Sequence, residues 1–203
     1  MTKQLYYQDL VLLANQEVSP SFLMSKVINA LHLILVEGEH KTGSINIGVA
    51  FPRYNKKKPT LGNIVRLFAY HTDVLSNLCS ESRLLRLSDY IQKREILPVP
   101  DSVKEFVQYH RVQLKGNKER LMRRYAKRHQ IDINQAEKVY ASYNIPENDI
   151  PYVMINSLST KQRFNLYVDE VLQAKNTESL VFDSYGLTKL GVLPYFDAPM
   201  QRG

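Results

Sequence analysis

An α+β fold is what this sequence predicts. In the first half, runs that alternate apolar and polar residues, as strands do, are interleaved with runs at helical spacing. In the second half, a basic amphipathic helix sits among short alternating segments. Pro98 and Pro100 lie between the halves and predict a domain boundary there, giving residues 1–100 and residues 101–203.

A first strand is expected near residues 4–14. Ser19-Pro20 then suits an N-cap and a first helical position. Leu23, Val27, Ala30, Leu31, Ile34 and Leu35 recur at helical spacing and predict an amphipathic helix over 20–36. Ile45, Ile47, Val49 and Phe51 alternate as a half-buried strand does, ending at Pro52. Lys56-Lys57-Lys58 falls in the turn that follows, and NIVRLFAY (63–70) returns as a partner strand. Thr72-Asp73 is placed to cap a short helix carrying Val74, Leu75 and Leu78. A strand around 89–97 completes the set. The order βαββαβ is the ferredoxin-like arrangement, which RNA-binding proteins often use as a platform. Beyond the prolines, residues 103–114 read as extended and Gly116-Asn117 breaks the pattern. Helices over about 118–129 and 133–143 follow, then short strands near 152–158, 162–169, 180–183 and 192–195.

Composition narrows the function. Hydrophobic residues make up 44% of the 203, enough for a packed core and too many for wholesale disorder. The single cysteine, Cys79, excludes an intramolecular disulfide framework and a cysteine-based zinc site. No apolar run approaches the ~20 residues that span a bilayer. The opening MTKQLYYQDL lacks the layout of a secretion signal. A cytoplasmic protein without a membrane partner is expected. The net charge of +7 is concentrated: residues 104–129 hold nine basic residues and two acids, and the remainder is neutral. Positive charge gathered into one short stretch points to a polyanion, most often nucleic acid.

Within the predicted helix, Arg120, Arg123, Arg124, Lys127 and Arg128 fall on one stripe, while Leu121, Met122, Tyr125 and Ala126 lie opposite. Like charges on neighbouring turns repel, so the stripe is disfavoured unless an anion covers it. Lys115 belongs to the same basic stretch. Arg111 and Gln113, two apart on an extended segment, project to one face. Arg suits the paired acceptors of guanine and Gln the donor and acceptor of adenine.

Five segments together resemble the CRISPR repeat endoribonuclease of type I-F systems. They are LMSKVINALH (23–32), GVAFP (48–52), RVQLKGNKERLMRRYAKRH (111–129), SLSTKQRF (157–164) and SYGLTKLGVLPYF (184–196). The resemblance implies a ferredoxin-like domain followed by a C-terminal α+β domain bearing the arginine-rich helix. It implies metal-independent attack by a ribose 2′-hydroxyl on the adjacent phosphate, at the 3′ base of a repeat stem-loop. The products would be a 2′,3′-cyclic phosphate and a 5′-hydroxyl, with no cofactor and no small-molecule substrate. The enzyme would keep its hairpin product as a subunit of the guide-RNA surveillance complex, in antiviral defence. Carried over by position, the catalytic histidine falls on His32, the serine holding the nucleotide that supplies the 2′-hydroxyl on Ser157, and the tyrosine beside the histidine on Tyr185. Base readout falls on Arg111 and Gln113, groove binding on Arg124, Lys127 and Arg128, and stacking under the last base pair on Phe164. Lys127 stands where the family has arginine, so the two-pronged grip on phosphate is lost there. The C-terminal segment has fewer glycines than the family often shows, and continues past Phe196 as DAPMQRG.

Histidine suits the chemistry implied, because its unperturbed pKa lies nearest neutral pH and it can take or give a proton. His32 follows Leu31 by about 100° of helix, at the border of the apolar stripe. That position alone also fits a structural histidine. Among the others, His40 and His71 are expected in loops, His110 points opposite Arg111, and His129 ends the basic helix. No two histidines have metal-ligand spacing, and no carboxylate cluster suggests two-metal chemistry. Spacing does not choose between Ser157 and Ser159. Phe164 alternates with Leu166 and Val168 as a core residue would. The rival readings are a hairpin-binding ribonucleoprotein subunit that no longer cuts, and a DNA-binding regulator that uses the same helix.

Overall fold

Strand β1 (Tyr6–Leu12) is buried along nearly its whole length because it has a neighbour on either side. In the computed structural model, which describes residues 4–113, 118–141, 149–157, 162–174 and 179–197, it pairs antiparallel with β3 (Ile64–Ala69) from Tyr6↔Ala69 to Val11↔Ile64. Its other side pairs with β4 (Ile91–Lys93) and β5 (Leu97–Pro98). β2 (Gly48–Ala50) pairs antiparallel with β3, giving the order β2-β3-β1-β4 with β5 also on β1. The strand expected over 89–97 is thus two pieces. They part at Arg94, whose amide donates to the Asp9 carbonyl (2.9 Å) and whose own carbonyl accepts from Gln8 Nε2 (2.8 Å).

Helix α1 (Pro20–Thr42) starts as the sequence expects, with Ser19 Oγ accepting from the Phe22 amide and Pro20 in the first turn. It runs six residues beyond the predicted end at 36. The apolar stripe stops at Leu35, but the last turns are exposed helix, which hydrophobic spacing does not register. His40 is therefore helical rather than in a loop. Gly43 closes the helix at φ 76°, its amide donating to the Glu39 carbonyl. By length and a mean hydropathy of 1.3, α1 could cross a membrane, contrary to the expectation of no such run. Its apolar side is occupied otherwise: Leu23, Met24, Val27, Ile28, Leu31 and Leu35 share one core with Leu10, Val65 and Leu67. Helix α2 (Thr72–Ser80) begins at Thr72 with His71 as N-cap and no side-chain capping bond, so Thr72-Asp73 is not the cap expected. A short α3 (Ser82–Leu85) follows.

The second sheet has the order β11-β6-β8-β7, from β11 (Leu193–Tyr195), β6 (Glu105–Val112), β8 (Arg163–Gln173) and β7 (Tyr152–Asn156). A small hairpin joins β9 (Val181–Phe182) to β10 (Thr188–Leu190). Tyr109 of β6 donates its hydroxyl to Glu170 Oε2 (2.7 Å), with the Phe51 carbonyl 2.9 Å away, tying the sheet to the end of β2. Arg66 and Asp9, opposite each other in the β1–β3 register, form a buried two-pronged ion pair at 2.7 and 2.9 Å. The Arg66 guanidinium lies over the rings of Tyr7 (4.7 Å) and Phe196 (4.0 Å), which meet each other edge to face, and donates to the Phe196 carbonyl (2.8 Å), which pins the end of the second sheet to the first. Removing either charge alone would strand the other at a cost of about 3–5 kcal/mol.

The chain leaves the first sheet for the second between β5 and β6, at Pro98–Pro100. Its two compact units are residues 1–111 with 150–203, and residues 112–149. The packing of α1 along β7 gathers both sheets into the first unit. The second holds α4 (Lys118–His129) and α5 (Ile133–Val139), with Met122, Ala126 and Ala136 as its core. Gln130 turns the chain out of α4 at φ 52°, and Asp132 caps α5 by accepting from the Asn134 amide (2.7 Å).

Candidate active site and nucleic-acid interface

Asp183, Ser184, Tyr185 and Gly186 form the turn between β9 and β10, and the aspartate builds it. Its Oδ1 accepts from the amides of Tyr185 (2.8 Å) and Leu187 (2.9 Å), while its own amide donates to the Leu187 carbonyl (2.8 Å). Burial pushes the Asp183 carboxyl up from the ordinary aspartate range, and the two amides and the charges of Lys189 and Arg111 pull it back. Gly186 sits at φ 75°, and a Cβ there would lie 2.4 Å from Val49 Cγ2. The Gly186 carbonyl accepts from the Val49 amide (2.8 Å), which fastens the turn to β2.

The turn presents two groups to α1, and His32 meets both. Its Nδ1 lies 2.8 Å from the Ser184 carbonyl oxygen. A carbonyl only accepts, so Nδ1 carries a proton and the neutral ring has its lone pair on Nε2. The Tyr185 ring stacks on the imidazole with centroids 4.2 Å apart and planes 14° from parallel. Burial raises the Tyr185 hydroxyl above its ordinary value, with Arg111 opposing and Asp183 adding, so it stays protonated near neutral pH. The half-buried His32 is thus held in one tautomer and one plane.

Arg111 and Phe164 come together beside this pair. They sit on the adjacent strands β6 and β8, and the guanidinium lies over the half-buried phenyl ring at 5.4 Å. The exposed Arg111 is also the cation that acts on Tyr185 and Asp183. Ser157 follows β7 and closes the connection to β8, its amide donating to the Gln162 carbonyl (2.9 Å). The outer edge of β7 is held by Ser25 and Asn29 of α1, which sequence spacing did not single out. Their signal was weak: two polar residues at i and i+4, leading to His32 at i+7.

The other predicted residues that the structure describes lie in the second unit. Gln113 is exposed just past the end of β6. On α4, Arg123, Arg124, Lys127 and Arg128 face solvent while Met122 and Ala126 are buried, as the amphipathic pattern requires. Tyr125 packs against the rings of Tyr140 and His129. Lys115, Ser159 and the Arg120 side chain lie outside the described residues. Among the described residues, no group of three or more His, Cys, Asp or Glu is placed to hold a metal ion.

A family model described as CRISPR-associated protein (Cas_Csy4) matches residues 7–196. The chain is 34% identical over 191 residues to the CRISPR-associated endonuclease Cas6/Csy4 of Pseudomonas aeruginosa (strain UCBPP-PA14), covering 94% of this chain and 99% of that protein. It is 30% identical, with the same coverage, to the CRISPR-associated endonuclease Cas6/Csy4 of Escherichia coli (strain UTI89 / UPEC).

Proposed function

The chain belongs to the Cas_Csy4 family of CRISPR-associated proteins, and from that premise we propose that it is an endoribonuclease that processes CRISPR repeat RNA. It binds the repeat stem-loop and cuts at its 3′ base by 2′-hydroxyl attack, without a metal. The observation that carries this reading is the bond between His32 Nδ1 and the Ser184 carbonyl, because it leaves Nε2 as the base. Nε2 takes the proton of the 2′-hydroxyl, and the freed oxygen attacks the adjacent phosphorus as the bond to the 5′-oxygen breaks. The departing oxygen takes a proton from water, to which the imidazolium returns the one it took, leaving a 2′,3′-cyclic phosphate and a 5′-hydroxyl. Tyr185 keeps the imidazole in plane, and Ser157 holds the nucleotide that supplies the nucleophile.

Binding divides between two surfaces. The exposed cations of α4 grip phosphates whatever the sequence, while Arg111 and Gln113 read base edges and Phe164 stacks under the last base pair. The strand order β2-β3-β1-β4 supports a ferredoxin-like reading of residues 1–100, with residues 101–203 supplying the RNA-binding part. The product hairpin stays bound, and the chain serves with it as a subunit of the type I-F surveillance complex in the cytoplasm. Incubation with end-labelled repeat RNA in EDTA, followed by mapping of the termini, tests the chemistry. Cyclic phosphate and 5′-hydroxyl ends at an undiminished rate are expected. A requirement for Mg²⁺ would overturn the 2′-hydroxyl scheme.

A further inference from the structure

Edge strands need a partner for their outward amides and carbonyls, and β7 is the edge of the second sheet. The backbone groups of alternate residues turn to the same side, so Met154 and Asn156 direct theirs away from β8. Two side chains of α1 meet them. Ser25 Oγ accepts from the Met154 amide at 3.1 Å. Asn29 Nδ2 donates to the Met154 carbonyl at 2.8 Å, and Asn29 Oδ1 accepts from the Asn156 amide at 2.9 Å. Asn29 therefore does what a neighbouring strand would do, with both ends of its amide used. Its Nδ2 also reaches the Ser25 carbonyl at 2.7 Å, which fixes the side chain against its own helix.

The placement matters because of what lies on either side. Asn29 is three residues before His32, so the two side chains share one helical face. Asn156 is the residue immediately before Ser157. We infer that Asn29 is a positioning residue that sets Ser157 relative to His32, by clamping the end of β7 to the helix that carries the base. This rests on the reading of His32 and Ser157 given above. Without the clamp, the β7 end is held to β8 alone, and the nucleotide seated by Ser157 no longer meets Nε2 in line. Ser25 clamps the same strand two residues further from Ser157, so its loss leaves the end of β7 in place.

Three variants test this: Asn29→Ala, Asn29→Asp, which keeps only the acceptor for the Asn156 amide, and Ser25→Ala. Each is measured for single-turnover cleavage at saturating enzyme, for affinity to a hairpin with a 2′-deoxy substitution at the cut site, and for thermal stability. Amide hydrogen exchange is followed at Asn156. Asn29→Ala should slow cleavage by about tenfold to 100-fold, the usual consequence of misplaced reacting groups. Hairpin affinity should hold, and exchange at Asn156 should quicken. Asn29→Asp should fall between Ala and wild type, and Ser25→Ala should cleave like wild type even where its stability drops as much. Cleavage losses that follow melting temperature across all three variants would overturn the positioning role, as would an Asn29→Ala enzyme that cuts at the wild-type rate. A wild-type chain that leaves every repeat hairpin uncut would overturn the functional reading, and this inference with it.

Discussion

The rings of His32 and Tyr185 lie face to face, 4.2 Å between centroids, while the carbonyl of the residue before the tyrosine holds the histidine's Nδ1. One turn of chain thus sets both the plane of the imidazole and the site of its proton. If the stack rather than the hydroxyl is what matters, Tyr185→Phe should cleave within a few-fold of wild type. Tyr185→Ala should lose about tenfold, since such a stack is worth ~0.5–1.5 kcal/mol. Single-turnover rates decide this, and equal large losses in both variants would assign the work to the hydroxyl.

Arg111 over the Phe164 ring puts a cation and an aromatic face on one surface next to that turn. Arg111→Ala should lower affinity for the cognate stem by about 1–3 kcal/mol, with little change for a stem whose terminal pairs are swapped. Gln113→Ala should act in the same direction more weakly, because its contact is uncharged. Binding titrations against stems altered next to the cut site supply the comparison. Equal losses on every stem would make Arg111 a phosphate contact.

Arg124 and Arg128 face solvent on α4, opposite the buried Met122 and Ala126. Replacing both with Ala should weaken binding to stems of any sequence and flatten its salt dependence, because each phosphate contact displaces counterions. An unchanged slope of log affinity against log salt would mean that the stripe does not meet RNA.

Much of this was legible in the sequence, and the reasons differ by element. The basic helix declared itself twice, by charge and by the apolar positions opposite, and α4 spans the predicted residues 118–129. The start of α1 was marked by Ser19-Pro20, whereas its end was hidden because exposed turns carry no hydrophobic signal. β10 went unread: it has three residues, two of them exposed. The His32–Tyr185 pairing came from the family resemblance and not from spacing, since the two residues meet only once β9 and β10 fold over α1. Asn29 and Asp183 were harder to read, for different reasons. Asn29 acts through backbone groups of distant residues, and such bonds leave no pattern in the residues that receive them. Asp183 instead binds amides two and four residues on, inside a single turn that also makes no hydrophobic pattern. Arg66 did leave a trace, as a lone charge inside NIVRLFAY, whose explanation is Asp9 across the register.

Cys79 gives the fold a dependence on alkaline pH. Burial raises its thiol from about 9 to about 11, with the Lys93 charge pulling it back. The unfolded chain releases this proton at lower pH than the folded one. Its contribution is therefore intact below about pH 9 and is lost as pH rises toward 11. The raised hydroxyls of Tyr7 and Tyr185 act in the same direction at higher pH. Urea unfolding across that range should show a smaller fall for Cys79→Ala than for wild type. Equal falls would leave the effect to the tyrosines.

If Nε2 of His32 moves the proton, single-turnover cleavage by His32→Ala, measured alongside its affinity for the intact hairpin, shows it most directly. Loss of a general acid–base group should slow cutting by about 10²–10⁴-fold. Affinity should stay at the wild-type value, because the task proposed for the imidazole is proton transfer rather than binding. A His32→Ala enzyme that binds the hairpin and cuts within a few-fold of wild type would remove His32 from the mechanism.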